Sequence, residues 1–471
     1  MPNLMRCIYC GLLQDEPSGV KECSRCGGEL AFETQDPDSQ PGAYLFAQME
    51  LDQVKAPAGR NIDRYLIVTL RTPGKVPPEQ AAPTLTGRPP LNFSAVLDIS
   101  GSMQGEKLHQ AKEAVRLALR YLHDGDIFSL VTFSNDVRCV LEPSTVDDPL
   151  RKVTESALQE ITATGMTALD GGLELGITKA AQKSLQNNLV LLLSDGQANV
   201  GETDLEKIGR RSHAARQQGL TLSTLGVGSD YNEALMAEIA IQGGGRYYHI
   251  QSAPQIAAYL TGELGEAANL AARNTKLVIN LPPGGMLMPL SAAYPAEMVG
   301  LQASVNIGDI PCDVELEIPL RLTLLSQPAG ARLSLDGQVN FHSPAGNSLS
   351  TSLNRVTVRF LSVQDFTLRE GLVQPTAERV FKHLRAAQVL STSRIMASRP
   401  HAGAKEAERG LDAVRAYSEL VGTQEAQASL NNLQNDLRVM AASPAQAKVQ
   451  VNAAFKVQRS TKDFHKPGKG D

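Results

Sequence analysis

Between residues 92 and 270 two kinds of hydrophobic pattern alternate along the chain. Phe93 to Asp98, Ile127 to Phe133, Leu189 to Leu193 and Leu220 to Val227 are short, largely apolar runs. Between them, apolar residues recur every three or four positions. In Glu106 to Leu122 they fall at 108, 111, 115, 118, 119 and 122, the period of a helix. Leu150 to Ile161, Ala168 to Leu185 and Leu205 to Gln217 read as further helices, and Tyr231 to Ala240, Tyr247 to Ile250 and Pro254 to Leu270 complete the alternation. Val137 to Leu141 follows the turn-forming Ser134-Asn135-Asp136 and is predicted to be a hairpin partner. The unbroken apolar run Leu189 to Leu193 marks a strand covered on both faces. Strands alternating with helices of this length predict a doubly wound, mainly parallel α/β unit over 91–270.

On either side the pattern changes. From 275 to 365 the period drops to two: Val314, Leu316, Ile318, Leu320, Leu322 and Leu324 alternate with other residues, as do Leu277/Ile279/Leu281 and Val356/Val358/Phe360. This predicts antiparallel strands with one buried face. Strands are also expected at 43–72, among them Tyr65 to Leu70, but two strands cannot stand alone. They are expected to pair with the later ones, giving an antiparallel β-sandwich of 43–90 and 271–370 with the α/β unit inserted. Six prolines (73, 77, 78, 83, 89 and 90) make the connector between them. Residues 371–445 return to a helical period. Ala377, Val380, Phe381, Leu384 and Ala387 share one face, and Ala426, Leu430, Leu433, Leu437 and Met440 another. Residues 446–471 read as a solvated basic tail.

Composition narrows the function. The chain has 471 residues, 42% apolar and 20% charged, with a net charge of −5 and no tryptophan. Such a chain is multidomain and neither disordered overall nor electrostatically committed to nucleic acid. No apolar run approaches a membrane-spanning length, and Met1 to Cys7 has no secretory pattern. A cytoplasmic location is expected.

The cysteines point to a metal. Cys7-Ile8-Tyr9-Cys10-Gly11 and Cys23-Ser24-Arg25-Cys26-Gly27 are two matching knuckles within residues 1–30. Each supplies two thiolates from one tight turn, the set that tetrahedral zinc requires. A small structural zinc ribbon on Cys7, Cys10, Cys23 and Cys26 is expected, followed by an acidic, proline-containing linker at 31–42. Cys139 and Cys312 lie far apart in strand-like runs and are expected to be buried.

A second metal pattern lies in the α/β unit. The run Ala95-Val96-Leu97 ends in Asp98, and Ser100 and Ser102 follow at alternate positions around Gly101. Thr167 lies in Gly165-Met166-Thr167, before a helix, and Leu191-Leu192-Leu193-Ser194 leads to Asp195. In a doubly wound sheet all three stretches end at the carboxyl edge, where ligands bind. Three hydroxyls and two carboxylates form a hard-oxygen shell suited to Mg²⁺ or Mn²⁺. With little formal charge in it, that shell leaves the ion able to recruit an outside carboxylate.

This D-x-S-x-S run, with the later Thr and Asp-Gly, resembles the von Willebrand factor type A (VWA) domain, specifically its bacterial branch related to inter-α-trypsin-inhibitor heavy chains. The likeness covers about 92–265 and extends to Ser129-Leu130-Val131-Thr132-Phe133-Ser134 and Gly226-Val227-Gly228-Ser229-Asp230. It implies a metal-ion-dependent adhesion site in which Asp98, Ser100, Ser102, Thr167 and Asp195 bind Mg²⁺, with Mn²⁺ and Ca²⁺ as alternatives. It also implies an adaptor in a bacterial multi-protein system.

Catalytic patterns are missing. The sequence holds no phosphate-binding G-x-x-x-x-G-K-[ST] and no G-x-S-x-G elbow. His109, His123 and His213 are scattered on predicted helices. A phosphoester hydrolase would need a second Asp where Ser100 stands, and a base. A nucleic-acid adaptor would act through the zinc ribbon and basic tail, but acids at 15, 16, 22 and 29 offset Arg6, Lys21 and Arg25. The expected function is non-enzymatic binding of a protein partner's Asp or Glu carboxylate through the ion.

Overall fold

The computed structural model describes residues 4–7, 13–15, 30–31, 44–74, 89–195, 198–228, 231–250, 259, 262, 264–265, 269–398 and 400–459. Three short strands, β1 (Leu4–Cys7), β2 (Leu13–Asp15) and β3 (Leu30–Ala31), form an antiparallel sheet with β1 in the middle. Cys10, Cys23 and Cys26 lie outside the described residues, as do residues 32–42 of the linker expected at 31–42, whose first residue, Ala31, belongs to β3. Next come β4 (Phe46–Leu51), β5 (Lys55–Pro57) and β6 (Ile62–Arg71).

The α/β unit contains β7 (Leu91–Asp98), β8 (Ile127–Phe133), β9 (Val137–Thr145), β10 (Asn187–Ser194), β11 (Thr221–Val227) and β12 (Gly244–Ile250). They lie in the order β12-β11-β10-β7-β8-β9, and only the β8–β9 pair is antiparallel. Helices α1 (Glu106–Tyr121), α2 (Asp148–Glu160), α3 (Leu169–Gln182), α4 (Leu205–Gln217) and α5 (Glu233–Gln242) cover it. Every residue of β7, β8 and β10 is buried, and successive side chains go to opposite faces. Phe93, Ala95, Leu97, Leu191 and Leu193 pack with Leu108, Ala111 and Val115 of α1. Val96, Val190 and Leu192 pack on the other side with Leu173 of α3 and Ile208 of α4. Asp147, Asp204 and Asn232 cap α2, α4 and α5 by accepting backbone N–H bonds, satisfying groups the helix leaves open.

After this unit the chain forms β13 (Leu270–Asn280), β14 (Met286–Pro289), β15 (Ala296–Val299), β16 (Gln302–Pro311), β17 (Glu315–Leu324), β18 (Arg332–His342) and β19 (Ser348–Leu361). Two sheets result, β15-β16-β13-β18-β19-β5 and β14-β17-β6-β4. The strand before the α/β unit therefore pairs with a strand after it: β6 lies antiparallel to β17 from Arg71 opposite Glu315 to Ile62 opposite Leu324. One strand departs from the antiparallel expectation, because β5 runs parallel to β19. Met49, Leu66, Val68 and Ile318 of the smaller sheet share a single apolar cluster with Leu277, Val305, Val339 and Val356 of the larger.

Four helices end the described chain: α6 (Gln374–Ser398), α7 (Pro400–Val421), α8 (Gln424–Ala442) and α9 (Pro444–Arg459). The first part of the predicted tail is thus a helix. Ala447, Val451, Ala454 and Phe455 recur at helical spacing and are buried in the cluster that also holds Tyr247 and Phe381. Residues 460–471 lie outside the described residues. Among the described residues no helix is long and apolar enough to cross a membrane. Cys139 and Cys312 are half-buried, less covered than their sequence context predicts. Burial, with Glu142 alongside, pushes the Cys139 thiol up to about 11.

Helix α6 is fastened to the smaller sheet by charge. Arg379 donates to Glu317 at 2.7 Å, to Glu50 at 2.6 Å and to Thr69 Oγ1 at 2.6 Å, and His383 Nε2 lies 2.7 Å from Glu317. Burial pushes the Glu317 carboxyl up, but His383 and Arg379 outweigh it and hold it at about 2. Replacing Arg379 by Met leaves two enclosed carboxylates without their cation and is expected to cost about 3 kcal/mol of unfolding free energy. In the wild type the stabilisation from Glu317 is complete above about pH 4.5 and is lost as the pH falls toward 2. Denaturant titrations of both proteins at neutral and acid pH measure the difference, which should shrink in acid.

Candidate metal centre

The parallel pairing of β7 with β10 sets Leu97 opposite Leu193. Asp98, Ser194 and Asp195 therefore leave the sheet at one edge. Ser194 Oγ donates to Asp98 Oδ2 at 2.5 Å, and the Ser100 N–H donates to Asp98 Oδ1 at 2.8 Å. Gly101–Met103 is a short 3₁₀ turn that brings Ser102 back over the edge. There Ser100 Oγ and Ser102 Oγ are 3.0 Å apart, and Ser102 Oγ donates to Asp195 Oδ1 at 2.8 Å. The other oxygen of Asp195 accepts from Lys107 Nζ.

Thr167 is held beside these groups through backbone bonds. Gly101 N–H donates to Gly165 O at 2.9 Å, and Thr164 N–H donates to Ile99 O at 2.8 Å, so the two loops run together. Thr167 N–H donates to Asn199 Oδ1 at 2.8 Å, and Asn199 N–H returns a bond to Thr167 O at 3.2 Å. Asn135 Oδ1 accepts from Met166 N–H at 2.6 Å. This turn requires glycine at 165: its φ is +81°, and a Cβ would stand 2.9 Å from Asn135 Oδ1.

The structure thus joins Asp98, Ser100, Ser102 and Asp195 through hydrogen bonds and places Thr167 in the adjoining loop. Asp98, Ser100, Thr167 and Asp195 are buried, whereas Ser102 and Met166 on the rim are exposed. Burial pushes the Asp98 carboxyl up, and nearby Asp195 adds to this, while the Ser194 and Ser100 bonds pull it down. Lys107, Asn135, Ser194 and Asn199 complete the edge, although none was a candidate site residue from sequence. Of these, Asn135 and Asn199 had a faint signal, since each lies in a turn-like polar run after a strand. His109 and His123 are exposed, and His213 contacts Gln217.

The donor atoms suit a small hard cation. In an octahedron with metal–oxygen bonds of 2.0–2.1 Å, neighbouring oxygens lie about 2.9 Å apart. The 3.0 Å and 2.8 Å separations along Ser100, Ser102 and Asp195 are ordinary hydrogen-bond lengths, and they leave these oxygens close enough together to share one such ion. Among the described residues no three His, Cys, Asp or Glu side chains gather around one point. This edge has a different make-up, two carboxylates with hydroxyls, which such a grouping does not describe.

Fold and site together define an α/β domain with an oxygen-rich edge beyond its parallel strands. Residues 94–261 match the family model of the von Willebrand factor type A domain. These residues thus form a VWA domain, and the chain is related to YfbK and to the inter-alpha-trypsin inhibitor heavy chains. It is 30% identical over 249 residues to the uncharacterized protein YfbK of Escherichia coli (strain K12), across 51% of this chain and 43% of that one. It is 33% identical over 194 residues to inter-alpha-trypsin inhibitor heavy chain H3 of Homo sapiens, across 38% of this chain and 21% of that one. The chain thus spans less than half the length of these two relatives. A von Willebrand factor type A protein from Catenulispora acidiphila has a similar fold, with a TM-score of 0.61 at 15% identity over 90% of this chain and 99% of that one. VWA domains generally mediate protein–protein interaction.

The Gly165 turn offers a direct test of how the edge is held. Gly165→Ala is expected to cost about 1–2 kcal/mol from the left-handed backbone alone, and more from the contact with Asn135. Thermal denaturation should show the loss. Asn135→Ala alongside should relieve only the contact part.

Proposed function

We propose that this chain is a non-enzymatic interaction protein. Its VWA domain binds a carboxylate of a protein partner through a divalent cation, Mg²⁺ in the first place, at an adhesion site of Asp98, Ser100, Ser102, Thr167 and Asp195. The observation that carries this reading is that Asp98, Ser100, Ser102 and Asp195 converge in one hydrogen-bonded group at the carboxyl edge of the parallel sheet, with both carboxylates buried. The bound ion supplies an open coordination position that an outside carboxylate fills.

The chain's own groups decide what kind of site this is. Asp98 and Asp195 together offset the charge of one divalent ion, and the hydroxyls of Ser100, Ser102 and Thr167 bring oxygens without further negative charge. An anionic ligand is therefore not repelled. Ser102, Gln104 and Met166 form an exposed rim where a partner surface can lie. A binding role fits this arrangement, because the rim beside the enclosed acids is open to a partner surface.

The same reading extends to the rest of the chain. The sheets on either side form a sandwich into which the VWA domain is inserted, and the helices after it brace the pair. Cys7, Cys10, Cys23 and Cys26 hold a structural zinc. The protein acts in the cytoplasm as an adaptor in a larger bacterial assembly.

The test is a quantitative pull-down in excess Mg²⁺, comparing wild type with Asp98→Ala after confirming that the variant is folded and retains its zinc. Specific partners should be lost with Asp98→Ala. If the same proteins remain in the same amounts, the adhesion-site reading is wrong for those partners.

A further inference from the structure

Lys107 occupies an unusual place. It lies in the first turn of α1, next to Glu106, where the helix dipole disfavours a cation. Its ammonium nevertheless reaches across the edge to Asp195, whose side chain is fully enclosed, while Lys107 keeps 27% of its own exposure. The stem crosses Gly228, whose φ is +82° and where a Cβ would come within 2.9 Å of Lys107 Cε. The lysine stem therefore packs directly against the backbone of this turn. Helix stability does not account for such a placement, but the charge of Asp195 does.

We propose that Lys107 is a built-in cation that competes with the divalent ion. Without metal it neutralises Asp195 and keeps two neighbouring buried carboxylates compatible with the fold. When metal binds, Lys107 must release or share the Asp195 oxygen, and its charge opposes that of the ion. Lys107 therefore lowers metal affinity and makes the domain's stability less dependent on metal. This rests on the reading of Asp98 to Asp195 as a divalent-cation site. The opposite role is also physically definite: a lysine that merely orients Asp195 for the ion would strengthen metal binding.

The two roles differ in sign. Mn²⁺ binding is measured by calorimetry on the full chain, zinc-loaded and otherwise metal-free, for wild type, Lys107→Met, Lys107→Arg and Asp98→Ala. Lys107→Met keeps the stem and removes the charge, and it should bind Mn²⁺ about tenfold more tightly, as expected for deleting a like charge at close range. Lys107→Arg should stay within about threefold of wild type, since it retains the charge. Without Mn²⁺ the melting temperature of Lys107→Met should fall below wild type, and saturating Mn²⁺ should restore it. Equal or weaker Mn²⁺ binding by Lys107→Met overturns the proposal for Lys107 and leaves the site standing. Mn²⁺ binding by Asp98→Ala as strong as wild type, or none by wild type, overturns the site and the Lys107 proposal together.

Discussion

Two carboxylates buried beside one another repel, and the edge of the VWA domain is arranged around that repulsion. Asp98 and Asp195 come together because β7 and β10 are neighbouring parallel strands whose apolar residues are packed on both faces. Packing places the charges, and the loops must then accommodate them. Ser194, the Ser100 N–H and Ser102 each donate to one of the two acids. A protein interior tolerates such a pair only with donors and a cation close by. Lys107 supplies one positive charge. The divalent ion of the proposed site would supply two.

The surrounding architecture keeps that edge in register. Residues of β7 and β10 divide between two apolar clusters, and the cluster on the α3 side continues into the four C-terminal helices. Phe455 of α9 lies 6.1 Å from the ring of Tyr247 on β12. Tyr247 in turn shares a hydrogen bond of 2.7 Å with Tyr231, ahead of α5. The C-terminal helices are thus part of the packing that supports the domain. The Arg379 cluster joins α6 to the β14-β17-β6-β4 sheet in the same way.

The central sheet was legible because strands buried on both faces leave unbroken apolar runs, and Leu189 to Leu193 is the clearest of these. That Asp98, Ser100, Ser102 and Asp195 meet at one edge, with Thr167 in the adjoining loop, was legible because polar residues directly after apolar strands of a parallel sheet gather at its carboxyl end. The supporting residues were not. Asn135 and Asn199 act through single hydrogen bonds to backbone groups, which require no fixed spacing from the oxygen-bearing residues. Lys107 carries no sequence signal, because a lysine in the first turn of a helix is usually a surface charge. Helix α9 was hidden for a related reason: its lysines suggested solvent, yet Lys448 is buried, 4.9 Å from the Tyr231 ring centre and 3.3 Å from Glu233. Long cationic side chains cover apolar surface while their charge finds a partner, and periodicity does not register that. Strand β5 was missed as a separate element because three residues are too few to show a period.

The most direct test of the central claim is anomalous diffraction from crystals grown in saturating Mn²⁺. A single strong peak should appear at the carboxyl edge, within about 2.2 Å of the Ser100 and Ser102 hydroxyl oxygens, with Asp98 and Asp195 bound directly or through water. An empty edge, or a peak whose ligands do not include Ser100 and Ser102, would contradict the assignment of this edge as a metal-dependent binding site.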